Sequence, residues 1–251
     1  MSYVAFADAA LPIADQWFQE PIQSISVQIL GPFSATADGA CQVALPDGVT
    51  IAYVKPRPDA ERKLVVAREK IAADLAHVLE LPVAPVVVRL PMPDEGWPHH
   101  SAMSLSCLKS GRLWATGGAA HLAAAGEALE ALRVFWTWIG DGDHNGHPHN
   151  LLYEVRPDKV AVVAIDHSFS LCHHNGANPL AVGECPGYGT KADFRATATA
   201  TMVKIRLLGS GKIETVVRKM NPILTGEEQE RMLRILAVRC DHLGRLLGLE
   251  E

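Results

Sequence analysis

Trp136-Thr137-Trp138-Ile139-Gly140-Asp141-Gly142-Asp143-His144-Asn145-Gly146-His147-Pro148-His149-Asn150-Leu151-Leu152 is the stretch on which the reading of this chain turns. It is a polar loop between apolar segments. A helical pattern over Ala119–Ile139 runs into Gly-Asp-Gly-Asp, and the loop gives way to the short apolar Leu151-Leu152-Tyr153. A second β-rich run, Ala161-Val162-Val163-Ala164-Ile165, then delivers Asp166-His167 at its end. Carboxylates and an asparagine are thereby set at the mouths of adjacent short strands.

That layout suits phosphoryl transfer, in which a protein mainly positions two reactants and neutralises phosphate charge through metal ions. One aspartate accepts the proton of the nucleophile, while an asparagine and a second aspartate hold Mg²⁺. Magnesium takes a few hard oxygen ligands and keeps several waters, so a sparse Asn/Asp pair is adequate. The candidates are Asp143, Asn150 and Asp166.

The 251 residues suffice for one large domain or two closely packed lobes. A formal net charge of −5 with no clustering of basic residues gives no support to a nucleic-acid surface. The five cysteines are odd in number and lack C-x-x-C spacing, which points away from a disulfide framework or a cysteine zinc site and toward a reduced, cytoplasmic setting. Asp8 and Pro12 interrupt an N-terminal stretch that has no basic leader, which argues against a signal peptide. No apolar run reaches the roughly 18–20 residues that span a bilayer.

Upstream, a short helix is expected around Ala14–Glu20 and a strand over Ile22–Leu30, where β-branched residues are enriched. A loop over Thr36–Ala40 leads into a hairpin of Cys41–Leu45 and Val49–Val54 about the turn Pro46-Asp47-Gly48, ending at Lys55. Pro56–Glu61 reads as a surface loop. Leu64, Ala67, Ile71, Leu75, Val78 and their neighbours recur at helical spacing, predicting an amphipathic helix over about 62–80. Strands follow at Val86–Leu90 and Ser101–Leu105. Beyond Ser106 the character turns helical, with helices expected at Asp193–Leu208, Ile213–Met220 and Glu227–Leu247, and an irregular Gly/Pro stretch over Asn175–Thr190. Thr225 and Glu228 have capping-box spacing before the last helix. The chain divides into a strand-rich part and a helix-rich part near Ser106.

A strand ending in Lys55, a helix bearing Glu69, a short strand at Met103–Leu105, then Asp143, Asn150 and Asp166 is a part order that resembles the protein-kinase-like fold. More narrowly it resembles the small HipA-like kinases, through Tyr53-Val54-Lys55, Arg68-Glu69-Lys70-Ile71-Ala72-Ala73-Asp74-Leu75-Ala76 with Leu81-Pro82-Val83, Asp143 to Asn150-Leu151-Leu152, and Ile165-Asp166-His167-Ser168. The likeness spans about residues 40–170. It implies a two-lobed α+β fold, with residues 1–106 as the N-lobe and 107–251 as the helical C-lobe. It also implies an ATP-dependent, Mg²⁺-dependent kinase acting on a hydroxyl acceptor, a protein Ser/Thr or the chain itself. By the same resemblance Lys55 holds the α/β-phosphates and is oriented by Glu69, the loop containing Gly39 closes over the phosphates, and Met103, Ser104, Leu105 and Ser106 present backbone groups to adenine. Asp143 becomes the catalytic carboxylate and Asn150 with Asp166 the metal ligands, Asn145 being the competing choice for the asparagine.

Each residue also has a plain reading. Lys55 and Glu69 taken singly are surface charges, Asp141 and Asp143 about Gly142 are a helix-ending turn, and Asn150 is an Asx-turn residue. Trp136 and Trp138 suit core packing. His144, His147, His149 and His167, with His173 and His174 nearby, could form a metal-ligand cluster, and the alternative it supports is a zinc-type hydrolase using His147, His149, Asp143 and Asp166; the loop lacks a helical H-x-x-x-H pair and leaves Lys55 and Glu69 without a role. A third reading is a kinase-like nucleotide-binding module without transfer, motivated by Pro148 five residues after Asp143, by His144 and by the single glycine at Gly39.

Overall fold

The computed structural model describes residues 11–32, 40–55, 63–95, 99–108, 110–141, 144, 148–171 and 194–250. The expectations for Gly39, Asp143, Asn145 and His147, and for the stretches at 36–39, 56–61 and 175–190, fall outside the described residues.

The hairpin foreseen in the sequence forms, as β3 (Cys41–Ala44) and β4 (Ile51–Lys55), with Cys41 opposite Val54 and Ala44 opposite Ile51. Its turn is locked by the Asp47 carboxylate, which accepts from the backbone N–H of Val49 (3.0 Å) and Thr50 (2.8 Å). Gly48 takes the positive φ of 72° that such a turn needs. On the other side of β4 lies β6 (Ser101–Leu105), then β5 (Val86–Arg89), completing most of a six-stranded sheet. The single strand expected over Ile22–Leu30 is instead two. β1 (Ile22–Gln23) adds in parallel to β5 at one edge, and β2 (Gln28–Pro32) adds antiparallel to β3 at the other. The mixed alternation of that segment reflects the crossing, which is pinned where Arg89 Nε donates to the carbonyl of Ile25 at 2.7 Å.

Strand register decides which side chains share a face. Val43 opposes Ala52, Ala52 opposes Leu105, and Val54 and Val87 both oppose Met103, so these six face one way. They pack with Trp17 of helix α1 (Leu11–Gln19). Ala102, opposite both Lys55 and Val88, turns the other way, and Ala102 and Val88 pack against helix α2 (Lys63–Val78). The alternation therefore sends Lys55 toward α2.

The second sheet is smaller, ordered β7 (Arg112–Leu113), β8 (Leu151–Val155), β9 (Val160–Ala164). It joins the first through Pro82–Ala84: Ala164 N–H donates to the Pro82 carbonyl (2.8 Å) and Ala84 N–H to the Ala164 carbonyl (2.9 Å). Helix α3 (Leu122–Ile139) begins after a 3-10 turn at Gly118–His121, so the expected helix starts three residues late. Every residue from Leu129 to Ile139 is buried. Trp136 and Trp138 are both core residues, and the Trp138 indole donates to the carbonyl of Leu236 at 3.1 Å. The two helices expected at Asp193–Leu208 and Ile213–Met220 form as the two halves of helix α4 (Arg195–Arg218), broken at Gly209, which has φ 73° and ψ 154°. Helix α5 (Gly226–Leu246) starts at the Thr225/Glu228 capping box. Among the described residues no helix is long and apolar enough to cross a membrane.

Candidate active site

A cavity of about 610 Å³ opens between the two sheets, lined by Gln42, Tyr53 and Lys55 from the first, by Leu152 and Val163 from the second, and by Ile165 and Asp166 just past β9. The ammonium of Lys55 lies 3.2 Å from Glu69 Oε1 and 2.6 Å from Asp166 Oδ1. A strand end, a helix and the residue two past β9 thus converge on one nitrogen. Glu69 is 2% exposed and could not be the surface charge of the plain reading. Burial opposes the charge on Lys55, but Glu69 and Asp166 outweigh it and hold its pKa above the usual lysine value. Burial likewise works against Asp166, yet Lys55 and the Ser168 hydroxyl, which donates to Asp166 Oδ1 at 2.8 Å, keep its carboxylate well below the usual range.

Asp166 has φ 61°, in the left-handed region that L-residues rarely occupy. Such strain is retained where the surroundings impose it, and it clusters at functional sites. Ile165 N–H donates to the Asn150 carbonyl at 3.0 Å, continuing the ladder in which Leu151 opposes Ala164. Asn150, the last residue of a 3-10 turn (Pro148–Asn150), therefore lies beside the residue that precedes Asp166. The pair offers hard oxygen donors at neighbouring chain positions, a set suited to Mg²⁺.

The residues expected to offer backbone groups to adenine differ in where their side chains lie. Ser104 and Leu105 line the cavity, whereas Met103 is fully buried on the face that packs with Trp17. β6 is an interior strand, and beyond it the N–H of Leu105 is used by Pro85 and that of Ser106 by Ile51. Ser106, of the expected stretch, and Cys107 and Leu108 beyond it also line the cavity. The turn signal after β6 was available in the sequence; the inward direction of Met103 depended on register.

The sequence also left the histidines unresolved. His149 is exposed. His144 and His167 are instead buried in a stack: Trp136 over His144 (centroids 4.7 Å) and His144 over His167 (4.5 Å). With Asp141 they bring potential ligand atoms within 4.8 Å of one another. His144 Nδ1 is 3.0 Å from Asp141 Oδ1 and its Nε2 is 2.9 Å from the Ile165 carbonyl, so two acceptors flank the ring. The doubly protonated, charged form of the ring would match both acceptors, and in that form it could not ligate a metal. Burial opposes that charge, and the Asp141 carboxylate outweighs it, raising the His144 pKa. His167 accepts from the Trp136 indole at 3.3 Å, and burial with the neighbouring His144 pushes its pKa down to about 3. Of the histidines that the sequence offered as a cluster, the described residues bring together His144 and His167, joined by Asp141, which the sequence reading had left outside it.

Among solved structures the chain is similar to the proinflammatory kinase CtkA of Helicobacter pylori, with 10% identity over 90% of this chain and 98% of that one and a TM-score of 0.61. Also found were WaaP in complex with acyl carrier protein (14% identity, 94% and 96% covered, TM-score 0.33) and the MAP kinase LmaMPK10 of Leishmania major (12%, 97% and 83%, TM-score 0.32). No family model and no curated protein sequence matches. The likeness to CtkA shows that the chain has a protein-kinase-like fold.

Proposed function

We propose that this chain is an ATP-dependent phosphotransferase of the small HipA-like kind, passing the γ-phosphate to a hydroxyl. The observation that carries the reading is the buried ammonium of Lys55 shared by Glu69 and Asp166 at the wall of a cavity of nucleotide size. The chain's residues then take the following roles. Lys55 turns its N–H donors to the α/β-phosphates, and Glu69 holds it at the right angle. The loop containing Gly39 covers the phosphates. Residues 104–108 contact adenine through the backbone. Asp166 and Asn150 hold Mg²⁺, which when bound neutralises phosphate charge. Asp143 accepts the proton of the attacking hydroxyl. Residues 1–106 and 107–251 form the two lobes on either side of the cleft.

The acceptor is proposed only as a hydroxyl, on a protein Ser/Thr or on the chain itself. Incubation with Mg-ATP, read by mass spectrometry for autophosphorylation and by nucleotide consumption, tests the reading. Transfer is expected in the parent protein, and Asp143→Asn is expected to keep Mg-ATP binding while losing transfer. A parent that binds Mg-ATP without consuming it would select the non-transferring module instead. A parent that holds zinc through His147 and His149 and binds no nucleotide would select the hydrolase.

A further inference from the structure

Helix α1 enters no part of the proposed chemistry, yet two buried or half-buried lysines from different parts of the fold converge on its last turn. Lys70 of α2 donates to the carbonyl of Trp17 at 2.9 Å and pairs with Asp74 at 2.5 Å, and both side chains are sealed, 1% and 3% exposed. Lys219, just past α4, donates to the carbonyl of Phe18 and stands 3.6 Å from the centroid of the Phe18 ring. The last carbonyls of a helix have no partner within it and carry partial negative charge, so they attract cations. The α1 terminus uses one lysine from the helix that bears Glu69 and one from the helical part of the chain.

The rest of α1 is equally engaged. Trp17 packs with Val54, the neighbour of Lys55, while Ile13 reaches the cavity wall. The Phe18 ring meets the His77 ring at 4.7 Å. Glu69 and Lys70 are consecutive on α2, about 100° apart around the helix. One side chain reaches Lys55 and the other reaches α1. A shift of α2 that frees Lys70 from Trp17 must carry Glu69 away from Lys55. Lys70 in turn can stay dehydrated only while α1 supplies its second acceptor.

From this geometry we infer that the last turn of α1 is a staple that sets the position of α2, with Lys70 and Lys219 as positioning residues for the Lys55–Glu69 pair. The inference rests on the phosphotransferase reading for the consequence of moving Glu69, and on the contacts alone for the coupling of α1 to α2.

Lys219 is the residue to change, since it is half-buried and outside the core, whereas loss of Lys70 would leave Asp74 buried and unpaired. The full chain is compared with Lys219→Met, Lys219→Arg, Glu69→Gln and the double variant Lys219→Met/Glu69→Gln, by amide hydrogen exchange and by calorimetric titration with Mg-ATP. Lys219→Met is expected to speed exchange in α1 and α2 and leave α5 unchanged, with Lys219→Arg restoring protection. It should weaken Mg-ATP binding roughly fivefold, the low end of coupling between distinct sites, and add nothing in the Glu69→Gln background. Unchanged exchange in α2, faster exchange throughout the chain, or losses that add to those of Glu69→Gln would each overturn the inference. If the parent binds no Mg-ATP, the phosphotransferase reading falls, and selective loosening of α2 still decides the coupling.

Discussion

Two buried lysines reach out from or toward α2, and they differ in kind. Lys70 is matched one to one with Asp74, adds the Trp17 carbonyl, and is closed to solvent. The Lys55 ammonium is divided between Glu69 and Asp166, and its side chain is 12% exposed and borders a cavity. Burying either ion costs desolvation, which good internal partners offset. The sealed pair has partners that stay in place, so it fixes structure. The divided one borders open space, so its partners can be exchanged, as the proposed nucleotide site requires. The lesson is that a buried ion pair becomes a candidate for function when it is shared and open on one side.

The largest effect should come from opening the sealed pair. Lys70→Met leaves the Asp74 carboxyl buried without its cation and should lower unfolding stability by about 3–5 kcal/mol, measured by urea denaturation. Lys55→Met should cost less stability, about 1–3 kcal/mol, because its carboxylates can take water from the cavity, while nucleotide-dependent activity is lost. Equal stability losses in the two variants would erase the distinction drawn between them.

The histidine stack adds a third buried arrangement whose effect appears with pH. His167 has its folded pKa held near 3, below its ordinary 6.5, so the unfolded chain takes up that proton first. Its contribution is complete above pH 6.5 and drains as pH falls toward 3. His144 is shifted the other way, so its contribution is present below 6.5 and is lost as pH rises through its folded value. The contribution of these two histidines should therefore be greatest near pH 6.5, with an acid limb from His167 on the order of a few kcal/mol. His167→Gln, which keeps an acceptor for Trp136, should flatten that limb in denaturation curves taken at pH 4, 5 and 6.5; an unaltered limb would remove His167 as its source.

Smaller effects sharpen the open side of the comparison. Glu69→Ala should impair nucleotide use less than Lys55→Met, and the double variant should be no worse than Lys55→Met alone, since Glu69 acts through the lysine. Independent, additive losses in turnover would contradict the pair. The smallest effect serves as a control: Thr225→Ala removes a cap remote from the site and should cost about 1 kcal/mol without touching nucleotide affinity.

How much of this was legible in the sequence follows from how local each signal was. Helix α2, the Asp47 hairpin and the Thr225 cap carry their cause within a few residues, and the structure keeps them within a residue or two of the expected limits. The meeting of Lys55, Glu69 and Asp166 was legible only as an order of parts. The division of the first strand into β1 and β2 was hidden because opposite sheet edges are a long-range choice. Met103 turns inward because of its register with Val54 and Val87, which no local pattern prints. The lysines that grip α1 come from 53 and 201 residues away, and the left-handed backbone of Asp166 has no signature in the residues around it.

The central claim, that Lys55 and Asp166 form a site for the phosphates and metal of a nucleotide, is tested most directly by calorimetric titration of Mg-ATP into the parent, Lys55→Met and Asp166→Asn, with metal content measured on the same preparations. The expected result is one nucleotide bound per chain in the parent, weakened at least tenfold by either change, a loss of about 1.4 kcal/mol, with no tightly held metal in the purified protein. Stoichiometric zinc with no Mg-ATP binding in the parent, or the same affinity in all three proteins, would contradict it.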